Sequence, residues 1–183
     1  NFQKEKFNLK AGKFTIKLGK ASCIMGIVNI TPDSFSGDGL YKSPLEQIIR
    51  YAEKMIADGA DIIDLGGESS RPGAMPVPLK EELDRVLPVL KKLVKKINIP
   101  VSVDTRKPEL ARIALDNGAS IINDISGLRD INMAKIASRY KAAVVIMHML
   151  KTPRSMQDNP CYNNLIDDLF LKLKTSIGRA MDS

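Results

Sequence analysis

The sequence has no tryptophan, and its 183 residues include one histidine, His148, and two cysteines, Cys23 and Cys161. Two cysteines so far apart provide neither a disulfide framework nor the closely spaced ligands of a zinc site. We also find no Ser/His/Asp relay and no close pair of acidic residues suited to catalysis. The sequence therefore predicts a site that binds and positions its substrates rather than one that attacks them covalently.

Long apolar runs are missing as well. The longest, such as residues 142–147, are far shorter than the roughly 20 apolar residues that a membrane-spanning helix needs. Residues 1–6 are polar and no apolar segment follows them, so we expect no secretory signal and a cytoplasmic protein. Because the first residue is Asn1 rather than methionine, we do not expect the chain to be a complete reading frame.

The formal net charge is +7, which by itself would suit a nucleic acid, a membrane surface or an anionic small molecule. The lysines are concentrated at Lys91, Lys92, Lys95 and Lys96, in a segment of helical periodicity, where they are typical of a solvated helix face. No arginine–aromatic interleaving or known nucleic-acid-binding module accompanies them. We therefore expect small-molecule substrates, with neither nucleic acid nor membrane as a partner.

The order of apolar patterns predicts a hairpin followed by repeated strand–helix units. Residues 7–10 and 13–18 alternate around Ala11-Gly12, which is a hairpin signal. Short apolar runs then alternate with segments of helical spacing. Strands are predicted at residues 22–30, 61–65, 100–104, 121–124 and 142–148. Helices are predicted at residues 44–58, 80–97, 108–117, 131–140 and 164–180.

This alternation indicates an α/β protein whose parallel strands have helices outside them. Because the strands are continuous apolar runs, we expect both faces of the sheet to be buried. An open doubly wound sheet and a (β/α)8 barrel both fit, although no G-x-G-x-x-G follows the first strand, which weakens the dinucleotide-binding version. About five β/α units are present, whereas a whole barrel usually takes about 250 residues.

Polar residues lie at the carboxyl end of each predicted strand. Such ends converge on one face of a parallel α/β protein, and that face carries the active site, so five polar ends in succession predict one shared site. The ends are Asn29 with residues 31–35, Asp64 with residues 66–73, residues 104–106, residues 123–124 and residues 147–149.

Two of these ends suggest what the site binds. Asp104 and Asn123 follow neighbouring strands, and a carboxylate beside a carboxamide suits an amino-pyrimidinone edge, with its row of N–H donors and one carbonyl. The structural alternatives are a helix cap before Pro108 for Asp104 and a turn before Gly127 for Asn123.

Three further polar residues suit a bound anion or its metal. The carboxamide oxygen of Asn29 is a hard ligand of the kind that Mg²⁺ accepts beside water and phosphate, although Asn also anchors loops. The guanidinium of Arg71 suits a pyrophosphate or a carboxylate, with a surface salt bridge as the alternative. A lone histidine such as His148 is more often a satisfied core group than a catalyst, and contact with a phosphate or a ring is the preferred functional role.

Residues 24–36, Ile-Met-Gly-Ile-Val-Asn-Ile-Thr-Pro-Asp-Ser-Phe-Ser, closely resemble the first signature of dihydropteroate synthases. Residues 63–74, Ile-Asp-Leu-Gly-Gly-Glu-Ser-Ser-Arg-Pro-Gly-Ala, resemble the second. Shorter matches follow in the same order at residues 101–105, 121–125, 147–149 and 156–157. Together they extend from about residue 23 to residue 162, which is most of the chain.

The resemblance implies a (β/α)8 TIM barrel at residues 21–183, incomplete at its C-terminal end, after an N-terminal β-hairpin at residues 1–20. It implies a Mg²⁺-dependent transferase that condenses 6-hydroxymethyl-7,8-dihydropterin pyrophosphate with p-aminobenzoate in folate biosynthesis. It also implies a homodimer for the full-length protein.

The resemblance assigns roles to residues of this chain. The catalytic residues would be Arg71, Asp104 and Asn123. The pterin would be bound by Asp104, Asn123 and Met147. The pyrophosphate would be bound by Asn29, Arg71 and His148, and Asn29 would be the metal ligand. The p-aminobenzoate side and its loops would comprise Thr31, Pro32, Ser34, Phe35, Ser70, Arg71 and Pro72.

Two departures from the family pattern matter. Ser70 replaces the more usual threonine but keeps the hydroxyl. The family's later pterin-site groups, an Asp in a Gly-rich motif, a Ser-Arg-Lys motif and an Arg-x-His, are absent, so a chain that ended at Ser183 would have little or no activity. Two alternatives remain: a related methyltransferase that moves a methyl group from methyltetrahydrofolate to a corrinoid protein, and a non-catalytic fragment of the fold.

Overall fold

The computed structural model describes residues 6–19, 21–32, 40–71 and 73–183. The strands in these ranges are β1 (Phe7–Ala11), β2 (Phe14–Leu18), β3 (Met25–Asn29), β4 (Ile62–Gly66), β5 (Val101–Asp104), β6 (Ile121–Asp124) and β7 (Ala143–Ile146). The helices are α1 (Leu45–Ala57), α2 (Leu79–Lys96), α3 (Pro108–Asp116), α4 (Ile131–Tyr140) and α5 (Leu165–Met181). The predicted order of hairpin and strand–helix units is confirmed.

The strands after the hairpin form one parallel sheet in the order β3-β4-β5-β6-β7, so neighbours in sequence are neighbours in space. A helix follows each strand, which is the connection that parallel pairing requires. Two predicted strand boundaries are wrong by two or three residues. β3 begins at Met25 rather than at residue 22, and β7 ends at Ile146, so Met147 and His148 lie in the segment after the strand. They remain at the carboxyl end of the sheet.

The strand register divides the side chains between two faces. Val28, Leu65, Val103, Ile122 and Val144 lie in one register row, and the first four are fully buried. This apolar row belongs to the main core, together with the buried faces of the first four helices. Adjacent residues of a strand point to opposite faces, so the other face carries the rows that contain Asn29 and Asp104.

The expectation that both faces are buried is wrong for the edge strands. Ile27 of β3 is 53% exposed and Val145 of β7 is 38% exposed, and both belong to the rows opposite the helices. The helices cover only the outer face, and β3 and β7 lie at the two edges of the described sheet. No helix in the described ranges is long and apolar enough to span a membrane.

The hairpin of β1 and β2 packs against the amino end of the sheet. Ala11 is fully buried in a small apolar cluster with Ile62, Ile121 and Ala143. The Gly12 amide donates to the Lys141 carbonyl over 3.0 Å, and its φ of +55° suits glycine in this turn. The hairpin therefore covers the amino end and leaves the carboxyl end accessible. The division into residues 1–20 and 21–183 remains a prediction.

Candidate active site

The predicted pterin-binding pair lies in one register row across the sheet. Asp104 of β5 is paired with Asn123 of β6, and the row continues through Gly66 to Asn29. A Cβ placed on Gly66 would lie 3.3 Å from Asn29 Oδ1 and 3.9 Å from Asp104 Oδ2. The missing side chain at Gly66 therefore allows the carboxamide and the carboxylate to approach each other. The structure brings Asn29, Asp104 and Asn123 together, as predicted.

A second carboxylate, Asp64, lies two register rows below on the same face of the sheet and contacts Asn123. Asn123 Nδ2 donates to Asp64 Oδ2 over 3.2 Å, and Asp64 is only 3% exposed. Burial raises the pKa of Asp64, against the opposing effect of the hydrogen bond from Asn123. The sequence analysis placed Asp64 at a strand end but gave it no role. An acidic residue within the apolar run 62–65 was the signal, because an isolated charge is costly to bury.

The carboxyl group of Asp104 lies in an acidic environment. Burial is the main reason that its pKa lies well above the usual range, followed by the negative charges of Asp64, Glu82, Glu68 and Asp124. The strand register brings together acidic groups that are distant in sequence, while the absence of a catalytic carboxylate pair stays a prediction. The helix-cap alternative for Asp104 is wrong, since the N-cap of α3 is Lys107.

Asn123 and the adjacent Asp124 have different roles because their side chains point to opposite faces of β6. Asp124 is fully buried and accepts hydrogen bonds from the amides of Ser126 and Leu128, both over 2.8 Å. These bonds stabilise a turn in which Leu128 has a φ of +57°. Asp124, rather than Asn123, is the turn-forming residue, and the Asn123 side chain is left at the site.

The first and second predicted site loops meet at a cavity of about 480 Å³. Thr31 and Pro32 from the first loop and Ser69 and Arg71 from the second line it. Ser70 is exposed and is not among its lining residues, so Ser69 presents the nearer hydroxyl. Ser34, Phe35 and Pro72, which were also assigned to the p-aminobenzoate side, lie outside the described residues.

His148 lines a different cavity, of about 350 Å³, together with Met147, Arg129 and Lys172. Its Nε2 lies 3.1 Å from the hydroxyl of Tyr162. Burial lowers the pKa of His148, and the charges of Lys172 and Arg129 lower it further. The cavities lined by Arg71 and by His148 share no residue, so the structure does not gather the predicted pyrophosphate ligands into one cavity.

A buried ionic group below the second loop was not foreseen. Lys107 pairs with both Glu68 and Glu82, and Arg106 pairs with Glu68. Glu82 is fully buried within α2. The sequence offered one signal, a glutamate on the apolar face of a helix, but not the identity of its partner.

Asn29 is the residue best suited to contact a metal ion. Among the described residues, no group of three or more histidine, cysteine, aspartate or glutamate side chains could hold one. Mg²⁺, however, commonly takes one or two protein oxygens and completes its shell with water and substrate phosphates. The Asn29 carboxamide oxygen fits that arrangement, because Gly66 beside it has no side chain to block the approach.

Comparison with known proteins agrees with this geometry. The family model of the pterin-binding enzymes matches residues 25–181. The dihydropteroate synthase of Synechocystis is 43% identical over 162 residues, which is 88% of this chain and 56% of that protein. The chain therefore spans little more than half the length of that curated relative.

Two solved structures have the same fold as this chain. Dihydropteroate synthase from Yersinia pestis, in a sulfonamide drug complex, has a TM-score of 0.89 and 38% identity over 96% of this chain and 63% of that one. The Burkholderia cenocepacia enzyme, complexed with 7,8-dihydropteroate, has a TM-score of 0.82 and 39% identity over 96% of this chain and 58% of that one. The strand–helix units are those of a TIM barrel. With its sequence matched over 25–181 and its fold shared with these enzymes, the chain belongs to the pterin-binding enzyme family.

Proposed function

We propose that the protein containing this chain is a dihydropteroate synthase. It joins 6-hydroxymethyl-7,8-dihydropterin pyrophosphate to p-aminobenzoate and releases 7,8-dihydropteroate and pyrophosphate. The observation that carries the proposal is the register row that places Asn29, Asp104 and Asn123 side by side at the carboxyl end of the sheet. The related Burkholderia cenocepacia enzyme has been crystallised with 7,8-dihydropteroate, which contains both halves of the proposed product.

The pterin ring is held by Asp104 and Asn123. The carboxylate accepts hydrogen bonds from the ring N–H and amino groups, and the Asn123 carboxamide pairs with another polar position on the same edge. Met147, which is 37% exposed next to these strand ends, offers an apolar surface for the ring. Pairing several donors and acceptors at once fixes the orientation of the reactive methylene group.

The pyrophosphate end is held by Asn29 at the end of β3, with Arg71 reaching it from the second loop and His148 from the segment after β7, although these last two side chains line separate cavities. Asn29 would hold a Mg²⁺ ion, which when bound would supply positive charge beside the leaving pyrophosphate. The guanidinium of Arg71 offers two parallel donors suited to phosphate or carboxylate oxygens. Arg71 thereby stabilises the pyrophosphate as it takes the electron pair of the breaking C–O bond.

The bond-forming step needs no covalent enzyme intermediate. The neutral amine of p-aminobenzoate attacks the pterin methylene group, a C–N bond forms, and one amine proton passes to solvent. The first and second loops, with Thr31, Pro32, Ser34, Phe35, Ser70 and Pro72, exclude water that would otherwise consume the electrophile. We also propose that the whole protein is a cytoplasmic homodimer.

The test is p-aminobenzoate-dependent release of pyrophosphate by the whole protein, measured for the wild type, Asn123→Ala and Asn132→Ala. We expect Asn123→Ala to lower kcat/KM about 100-fold, since it removes an orienting group of the pterin site. Asn132 is an exposed residue of α4, so its substitution should leave kcat/KM unchanged. A sulfonamide should compete with p-aminobenzoate. Absence of p-aminobenzoate-dependent release, or methyl transfer to a corrinoid protein instead, would contradict the proposal.

A further inference from the structure

The two ends of the loop that contains Ser70 and Arg71 are tied together by one carboxylate. Glu68 Oε2 accepts a hydrogen bond from the backbone amide of Val77 over 2.8 Å, nine residues further along the chain. The Glu68 side chain is only 8% exposed, so this bond is shielded from solvent. Residues 69–76 therefore form a loop whose base is closed by Glu68.

The same carboxylate ties the loop to the turn that follows Asp104. Glu68 Oε1 accepts from Arg106 Nε over 2.8 Å, and Oε2 accepts from Lys107 Nζ over 2.6 Å. Lys107 is the N-cap of α3 and also pairs with the fully buried Glu82 of α2. We call Glu68, Glu82, Arg106 and Lys107 the loop junction. It connects three segments that are separate in sequence.

The loop is also fixed from the α2 side. Arg85 donates to the Gly67 carbonyl over 2.6 Å, and its side chain is 6% exposed. A Cβ on Gly67 would come within 2.7 Å of Val86 Cγ2, so the backbone at this point lies directly against α2. The start of the loop is therefore rigidly placed, and Glu68 transmits that placement to its end at Val77.

The charge state of the loop junction agrees with this role. Burial alone would raise the pKa of Glu68, but the hydrogen bonds from Lys107, Arg106 and the Val77 amide together lower it. Glu68 is therefore ionised at neutral pH and attracts both cations. A buried ion pair often adds little net stability compared with an apolar replacement. In this protein the ion pair determines geometry, because Glu68 brings the Val77 amide, Arg106 and Lys107 together.

We propose that Glu68 is a positioning residue that holds the loop carrying Ser70 and Arg71 in a fixed relation to the end of β5 at Asp104. The inference rests on the proposed function, in which this loop closes over p-aminobenzoate and Asp104 binds the pterin. In this proposal Glu68 acts through the loop rather than on a substrate. Its loss should therefore weaken the use of p-aminobenzoate while leaving the pterin site intact.

The decisive variant is Glu68→Gln in the whole protein, which keeps the shape of the side chain but removes its charge. We expect the KM for p-aminobenzoate to rise about tenfold through misplacement of the loop. The Kd for the pterin pyrophosphate should change less than about twofold, since Asp104 and Asn123 stay in place. Hydrogen exchange of the Val77 amide should become at least about tenfold faster as its acceptor weakens.

The matched control is Glu53→Gln. Glu53 of α1 accepts from Lys96 over 3.1 Å at an exposed site away from the loop junction. In this variant the KM for p-aminobenzoate, the Kd for the pterin pyrophosphate and hydrogen exchange of the Val77 amide should all stay unchanged. Should Glu68→Gln fail to fold, Arg106→Gln removes one donor from a 31% exposed position, and we expect a KM rise of about threefold. The double variant of Glu68→Gln with Lys107→Met should lower the free energy of unfolding by less than the sum of the two single changes.

Several outcomes would overturn the inference. An unchanged KM for p-aminobenzoate would do so, and so would an equal loss of pterin affinity, which would indicate a general structural role. Unchanged exchange at Val77 would contradict closure of the loop base even without any turnover measurement. Failure of the wild-type protein to use p-aminobenzoate at all would instead overturn the proposed function, so the two failures are distinguishable.

Discussion

Asn123 on β6 donates its side-chain amide to the buried Asp64 carboxylate on β4 over 3.2 Å, across the intervening strand β5. This contact determines the orientation of the carboxamide. A 180° rotation about χ2 would place Asn123 Oδ1, instead of Nδ2, against the Asp64 carboxylate oxygen. The Asn123 oxygen is therefore available to accept from a ligand beside Asp104. Asp64 lies beneath the proposed pterin site, outside the register row of Asp104.

Substitution of Asp64 should test this orienting role. In Asp64→Asn the neighbour of Asn123 offers both a donor and an acceptor, so the carboxamide can take either orientation. We expect pterin affinity at neutral pH to fall about tenfold, as for the loss of one oriented hydrogen bond. Isothermal titration calorimetry would measure it. Asp58→Asn, which alters an exposed ion pair with Lys54, is the control and should bind the pterin normally.

Pterin binding should depend on pH through Asp104. Burial and the neighbouring carboxylates raise the pKa of Asp104, so it becomes protonated at a higher pH than an ordinary aspartate. A protonated carboxyl group cannot accept from several ring N–H groups, so affinity should fall as the pH is lowered through that pKa, by about tenfold per unit below it. Asp64→Asn removes a negative charge beside Asp104 and should shift the fall to lower pH. A pH-independent Kd would contradict this account.

Asp104→Asn should separate stability from function. Folding raises the pKa of Asp104, so the ionised carboxylate destabilises the folded state. The protonated carboxyl group favours folding at low pH, and this contribution to stability is lost as the pH rises through the folded-state pKa. The neutral amide should therefore raise the free energy of unfolding by about 1 to 2 kcal/mol at neutral pH and by less in acid. Urea unfolding at two pH values would show the difference. The same variant should lose pterin binding by at least about 100-fold.

Gly67, which directly follows β4, allows a test of packing. A Cβ on Gly67 would lie 2.7 Å from Val86 Cγ2 and 3.2 Å from the Glu82 carbonyl oxygen, so α2 would have to move. We expect Gly67→Ala to lower the free energy of unfolding by about 2 kcal/mol, the usual effect of overpacking. Gly178→Ala is the matched control: no atom lies within 4 Å of its Cβ position in α5, and alanine should stabilise the helix by about 0.5 to 1 kcal/mol. Equal effects of both changes in thermal unfolding would be inconsistent with the predicted clash.

Much of the fold could be predicted because hydrophobic periodicity is a local property. The alternation of apolar runs and helical segments located the hairpin and the strand–helix units, and polar residues at strand ends located Asn29, Asp104 and Asn123. The exposed inner faces of β3 and β7 were mispredicted, because an apolar run does not reveal whether a neighbouring strand covers it. His148 was correctly placed near the carboxyl end of the sheet, but which cavity it lines depends on the packing of α5.

By itself, the sequence determined the class of fold, the face that carries the candidate site and the polar residues at the strand ends, because these follow from spacing along one chain. Only the tertiary structure decided which charges meet. Asp64 lies 59 residues from Asn123, and Glu68 lies 39 residues from Lys107, and both contacts depend on strand register and on how helices pack. A carboxylate in a sequence has no defined partner. Its partner, its pKa and its role arise when folding removes it from water and places particular donors around it.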